Sequence, residues 1–211
     1  MSKTKSRSAE FFGRVAVKGW RRNSFFTFSW GYPHLRRWLA SQLSSREKNV
    51  LSVGCGSGEL ERDLTKLKHR VIGIDHAHRM LKLAVRKGFR NAIQADASFL
   101  PFRARYFDVV IYPESIGYLA IATALGEAHR VLKRQGRIII TAYPTHMASD
   151  ACYKKSDLAK IVARLSHAGF RVLDAKLLKV NTRNIREVAS EEDSSLLYLS
   201  AKKLTRPAGP F

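Results

Sequence analysis

Three glycines spaced two apart, Gly54, Gly56 and Gly58, follow the apolar run of "VLSVGCGSGEL" and stand directly before Glu59. Glycine at that spacing lets backbone N–H groups approach a ligand where side chains would intrude. A helix opening just beyond adds the positive end of its dipole. A phosphate-binding loop, G-x-x-x-x-G-K-[ST], needs a lysine after its last glycine, and Glu59 stands there instead. A dinucleotide fingerprint counted from Gly54 needs a small residue at the same position. A carboxylate in the first helical turn is a poor neighbour for pyrophosphate and suits a cationic ligand without phosphate. Two further carboxylates follow. Asp75 ends "VIGID", 17 residues beyond Gly58, where its oxygens can accept from both hydroxyls of a ribose. Asp96 in "QADASFLPF" can accept from the exocyclic amine of a purine. Alone, Asp75 reads more simply as a cap for the helix of residues 77–87, and Asp96 as a turn residue, than as a ligand-binding group. Jointly they describe a socket for a phosphate-free adenosine.

These residues need elements to hold them. From residue 49, β-branched runs "NVLSV", "RVIGI", "FDVVIY" and "GRIIITAY" alternate with helical patterns. Leu60, Leu64 and Leu67 mark one helix; Met80, Leu81, Ala84 and Val85 mark a second, stopped by Gly88. Ala124, Leu125, Ala128, Val131 and Leu132 mark a third. Leu158, Ile161, Val162 and Leu165 mark a fourth, with Ser156 as its N-cap and Gly169 just past its end. The alternation predicts an α/β, Rossmann-like, doubly wound and mostly parallel sheet. Near the end, "FRVLDAKLLKV" and "SLLYLSAKK" are separated by too little chain for a crossover helix, so they should run antiparallel. Residues 9–48 differ: rings (Phe11, Phe12, Trp20, Phe25, Phe26, Phe28, Trp30, Tyr32, Trp38) interleave with Arg14, Lys18, Arg21, Arg22, Arg36 and Arg37. Leu35, Trp38, Leu39 and Leu43 predict an amphipathic helix over 34–44. The division expected is a disordered basic arm (1–8), a helical, aromatic lid (9–48), a cofactor-binding domain (49–204) and a tail (205–211).

In that order and spacing the motifs resemble the class I S-adenosylmethionine-dependent methyltransferases over roughly residues 49–203. The nearest branch acts on small molecules (ubiquinone/menaquinone-type, methyltransferase type 11-like). "VLSVGCGSGEL" is similar to the family's first motif, "GIDHAHRML" to its ribose loop and "QADASFLPF" to its adenine loop. "FDVVIYPESIGYL" resembles its fourth strand and active-site loop, and "EAHRVLKRQGRIIIT" the helix, turn and fifth strand. The resemblance implies a seven-stranded sheet with an antiparallel last strand and S-adenosyl-L-methionine as cofactor. It implies that Gly54, Cys55, Gly56 and Gly58 line the methionine portion. Asp75, with His76 beside it, would hold the ribose, Asp96 and Ala97 the adenine, and Tyr112 and Pro113 would flank the sulfonium. One position departs from the family: the acid usual two residues before the first glycine is Ser52 here. Cys55 itself reads as a small loop filler and not a nucleophile.

Methyl transfer from a sulfonium is an in-line displacement that needs alignment and exclusion of water more than a protein nucleophile. A base is needed only for some acceptors; Glu114, Tyr118 and His146 are the candidates, with Tyr143 nearby and His129 read as structural. No metal-ligand spacing is visible, and His76 and His78 read as solvated. The 38 Lys and Arg against 17 Asp and Glu give a net charge of +21, which attracts polyanions. Two acceptor classes follow: a small or lipid-like molecule, with the basic lid against an anionic membrane surface, or RNA. A non-catalytic cofactor binder of the same fold is the third reading. Two cysteines and no membrane-length apolar run suggest a reducing cytoplasmic setting, peripheral to a membrane where the acceptor is a lipid. The sequence does not report an oligomeric state.

Overall fold

The computed structural model describes residues 10–14, 32–43, 46, 48–142, 157–180, 185–190, 194 and 196–205. The arm, most of the aromatic segment, Tyr143, His146, Cys152, Ser156 and the last six residues lie outside them. A helical turn over residues 10–14 and helix α1 (Tyr32–Leu43) precede the alternation. Then follow β1 (Asn49–Val53), α2 (Glu59–Lys66), β2 (Arg70–Asp75), α3 (His78–Arg86), β3 (Ala92–Gln94) and β4 (Phe107–Pro113). The chain continues through α4 (Ile121–Val131), β5 (Leu132–Ala142), α5 (Leu158–His167), β6 (Phe170–Val180), β7 (Ile185–Val188) and β8 (Leu196–Lys203).

The strands form one sheet in the order β3-β2-β1-β4-β5-β8-β6-β7. β1 to β5 pair in parallel, and β8 is antiparallel to both β5 and β6. The antiparallel ending therefore stands, but the described sheet has eight strands where seven were expected. The extra one, β7, pairs antiparallel with β6 in the gap read as plain loop. Its sequence, IREV, has two charged residues among four and no apolar run to announce it; short, charged strands are how sheet edges avoid further pairing.

Alternate residues of the central strands feed two cores. Leu51, Val53, Val110, Tyr112, Ile138 and Ile140 pack with Leu125, Val131, Ile161 and Leu165 of α4 and α5. Val50, Val109, Ile111 and Ile139 pack on the other face with Leu35, Trp38, Leu39, Leu60, Leu64 and Ala84 of α1, α2 and α3. Each buried aliphatic side chain contributes about 1.5–3 kcal/mol. Two expected core positions are exposed. Leu67 is the C-cap residue beyond α2, and Val85 lies off the Met80–Leu81–Ala84 stripe. Asp157, not Ser156, caps α5, accepting from Lys160 N–H at 2.7 Å. Strand order reverses between β1 and β4, and such a switch point opens a crevice at the strands' carboxyl ends.

Candidate functional site

Two of the three loop glycines are required by the protein itself. A Cβ on Gly54 would lie 2.4 Å from Ser115 Cβ, and one on Gly58 within 3.0 Å of Phe89 and Ala84. At Gly56 the nearest atom is the mobile end of Met80 at 3.3 Å, so its φ of +54° is the tighter constraint. Gly54 and Cys55 N–H both donate to Ile74 O, tying the loop to β2. The Cys55 side chain turns inward against Gly73, whose own Cβ would lie 2.8 Å from it. Burial pushes the thiol up, with Glu61 and Asp75 adding to the effect.

Asp75 joins the loop to the next helix. Its Oδ2 accepts from Gly56 N–H and its Oδ1 from Ala77 N–H, both at 2.8 Å. Each oxygen keeps capacity for a further donor, so capping and ligand binding are compatible. Burial raises its pKa while those N–H groups oppose the rise. His76 is half-buried beside it, its carbonyl accepting from Gln94 Nε2 at 3.2 Å.

Across β3, Asp96 Oδ1 accepts from Ser98 N–H at 2.8 Å and Ala97 is buried. The loop is fixed from behind by α4: Glu127 accepts from Leu100 N–H at 2.7 Å, and Arg130 donates to Phe102 O and Leu100 O. Ala95 N–H donates to Asp75 O, bringing the two acidic strand ends side by side.

Ser52, which stands where the family usually has an acid, meets a carboxylate from another element. Ser52 Oγ donates to Glu61 Oε1 at 2.6 Å, wholly buried, and Glu61 Oε2 has no hydrogen-bond partner among the described residues. Burial lifts the Glu61 pKa to about 7 against the pull of the serine hydroxyl. Glu59, by contrast, is paired with Lys87. Sequence reasoning missed Glu61, although a signal existed. It lies three residues before Leu64, on the buried stripe of α2, where a carboxylate is out of place. Ser57 Oγ, in the glycine loop, is also buried with no partner among the described residues.

On β4 the structure corrects one expectation. The Tyr112 side chain points to the opposite core and donates to Ala124 O at 2.8 Å, so only its backbone borders the crevice. Inward and outward residues alternate along a strand, and position 112 falls on the inward face. Pro113 pairs with Thr141, and Glu114 follows at φ +56°, its N–H donating to Thr141 O at 2.9 Å. A non-glycine residue in that region is strained. Ser115 Oγ donates to Val53 O, so the β4 loop is fastened to the end of β1. Tyr118 meets Phe12 edge to face at 5.0 Å. A Cβ on Gly13 would lie 3.5 Å from Arg79. The helical turn thus touches both the β4 loop and α3. His129 is packed against Phe170, away from these loops. Among the described residues no cluster of three or more His, Cys, Asp or Glu could hold a metal ion, and no helix is long and apolar enough to cross a membrane.

Residues 51–140 match the family described as Methyltransferase domain. A demethylmenaquinone methyltransferase of Thermotoga maritima is 31% identical over 145 residues, covering 65% of this chain and 62% of that protein. An uncharacterized protein of Methanocaldococcus jannaschii is 25% identical over 177 residues, 74% of this chain and 65% of the relative. The chain thus spans just under two thirds of the length of these relatives. The crystal structure of a further SAM-dependent methyltransferase from Thermotoga maritima shares the fold, with TM-score 0.69 at 18% identity, over 92% of this chain and 99% of that one. S-adenosylmethionine is the cofactor that this family and fold imply. From β1 to β5, then, the chain resembles the class I S-adenosylmethionine-dependent methyltransferases in both sequence and fold.

Proposed function

We propose that the protein transfers the methyl group of S-adenosylmethionine to a small or lipid-like acceptor. The observation that carries the reading is the two-sided hold of Asp75 on Gly56 and Ala77 next to buried Glu61, whose Oε2 has no partner among the described residues. The residues present fit the cofactor. A bare bend and partnerless polar atoms on Ser57 and Glu61 suit a cationic amino-acid tail. When bound, the cofactor supplies an electrophilic methyl group on a sulfonium. The chain's own part is to bind and orient. Asp75 would take the ribose, Asp96 and Ala97 the adenine, and the glycine loop with Glu61 the charged tail.

Glu114 would stand at the acceptor side, held in a strained conformation by Thr141, with Pro113 beside it. It is the group best supported to take a proton where the acceptor requires it. Tyr118, engaged with Phe12, fits a closing role better. The contacts of residues 10–14 support the N-terminal segment as a lid excluding water. The demethylmenaquinone relative supports a quinone-type acceptor. RNA is the second reading, favoured by the net charge of +21.

The test is tritiated S-adenosylmethionine with fractionated cell extract. Label in the lipid or small-solute fraction is expected; label confined to RNA moves the assignment to the second reading. Absence of label, with no S-adenosylhomocysteine retained by purified protein, overturns the enzymatic reading.

A further inference from the structure

A cleft of about 440 Å³ lies between one face of α1 and the β6–β7 edge, lined by His34, Arg37, Trp38, Lys176, Leu178 and Glu187. His34, Arg37 and Trp38 stand at helical spacing on one side of α1; Lys176 and Leu178 share a face of β6, and Glu187 pairs with Leu178 across to β7. Trp38 stacks on Tyr198 at 4.6 Å, and His34 tilts over the same ring at 5.7 Å. His34 Nδ1, Trp38 Nε1 and Tyr198 OH are all buried, with no hydrogen-bond partner among the described residues. Trp38 is only 9% exposed. Two of these atoms belong to residues lining the cleft and the third to the ring they cover, and unpartnered buried polar atoms call for an explanation; the indole N–H can only donate. Two cationic side chains share the cleft with a single carboxylate, Lys176 Nζ to Glu187 Oε2 being 3.1 Å. The positive field is felt by His34, whose pKa is lowered first by burial and then by Arg37 and Lys176.

We propose that this cleft binds an oxyanion, a carboxylate or phosphate, borne by the methyl acceptor. The inference rests on the methyltransferase reading only for its last clause. In register across the sheet, Thr141 holds Glu114 N–H, pairs with Tyr198 on β8, and Tyr198 pairs with Lys176 on β6. At the ~4.8 Å spacing of neighbouring strands, the cleft is about 10–15 Å from the end of β4. The acceptor's charged group would lie that far from its methyl-receiving atom. The incoming oxyanion takes N–H donation from Trp38 and charge from Arg37, and displaces Glu187 from Lys176.

The test uses the full chain with ¹⁵N-labelled indoles, the Trp38 signal being assigned by its loss in Trp38→Phe. Inorganic phosphate and acetate are titrated separately at constant ionic strength against chloride. Saturable movement of the Trp38 Nε1–H signal is expected with at least one of them, weakened tenfold or more in Arg37→Ala and Lys176→Ala. Glu187→Gln should tighten it several-fold. Movement no larger than with chloride, or equal in wild type and both cation variants, overturns the proposal. Sedimentation with phosphatidylglycerol vesicles separates the sources. Arg37- and Lys176-dependent binding marks a lipid headgroup, while a response to soluble anion alone marks a free solute; both support the site. S-adenosylhomocysteine binding is measured by calorimetry on the same samples and should be unchanged in the cleft variants. Its absence in wild type would fell the methyltransferase reading while leaving the anion titration to judge the cleft.

Discussion

The glycine-loop crevice and the cleft beneath α1, proposed above as the donor site and the acceptor's anion site, are built by opposite means. Around the glycine loop, backbone amides do most of the bonding: Gly54, Cys55, Gly56 and Ala77 N–H all find partners on β2 or its terminal Asp75. Around α1 and β6 the groups are side chains from elements more than a hundred residues apart, and His34 Nδ1, Trp38 Nε1 and, on the adjoining β8, Tyr198 OH have no partner among the described residues. A half written in backbone is fixed by short local motifs and tolerates one ligand. A half written in side chains can change its ligand without disturbing the fold.

The comparison breaks first at the glycines. Gly54→Val drives a Cβ into Ser115 and should unfold the β1–β4 junction, costing about 3 kcal/mol or more by denaturant titration. Gly56→Val should cost about 1–2 kcal/mol of left-handed strain yet abolish S-adenosylhomocysteine binding by calorimetry. Equal stability losses in the two variants would erase the distinction between a glycine needed by the protein and one needed by the ligand.

Glu61→Gln comes next. Folded, Glu61 holds its proton up to about pH 7; in the unfolded chain it does so only to about pH 4.3. The folded state therefore binds more protons in that window, and stability falls as pH rises through it. The accumulated cost is about 4 kcal/mol above pH 7. The variant should be more stable than wild type at pH 8, with a flattened profile between about pH 4.3 and 7. A cationic cofactor seated beside Glu61 should drive off its proton near pH 7, and the variant should lack that release, measured by calorimetry in buffers of different ionisation enthalpy. Asp75→Ala should weaken cofactor binding by about 1–3 kcal/mol, and unchanged affinity removes it from the ribose role. Phe12→Ala is the smallest, about 0.5–1.5 kcal/mol for an aromatic pair. It is expected in the release rate of S-adenosylhomocysteine rather than in melting temperature.

The donor half was the legible one, because a strand, a bend and a helix lie consecutively in the chain. The motifs placed Gly54, Gly56, Asp75 and Asp96 on adjacent strand ends, and the structure brings them together. What escaped lay elsewhere. Glu61 reaches Ser52 across nine residues by a contact that only folding makes. Tyr112 was carried to the crevice by motif position, whereas strand alternation sends its ring to the far core. β7 has too few residues and too much charge to announce itself. The cleft is invisible in one dimension, since His34, Lys176 and Glu187 meet only through α1 crossing the sheet.

The bond from Ser115 to Val53 couples two threshold segments into one rigid sill. With Gly54 bare beneath it, neither segment can shift without carrying the other, so entry of the second reactant transmits force straight to the seat of the first. Such coupling is reciprocal, so ligands seated at the two segments would alter each other's affinity by the same factor. It leaves α1 and the β6–β7 edge, which hold no part of the sill, as the terrain on which acceptor choice can drift.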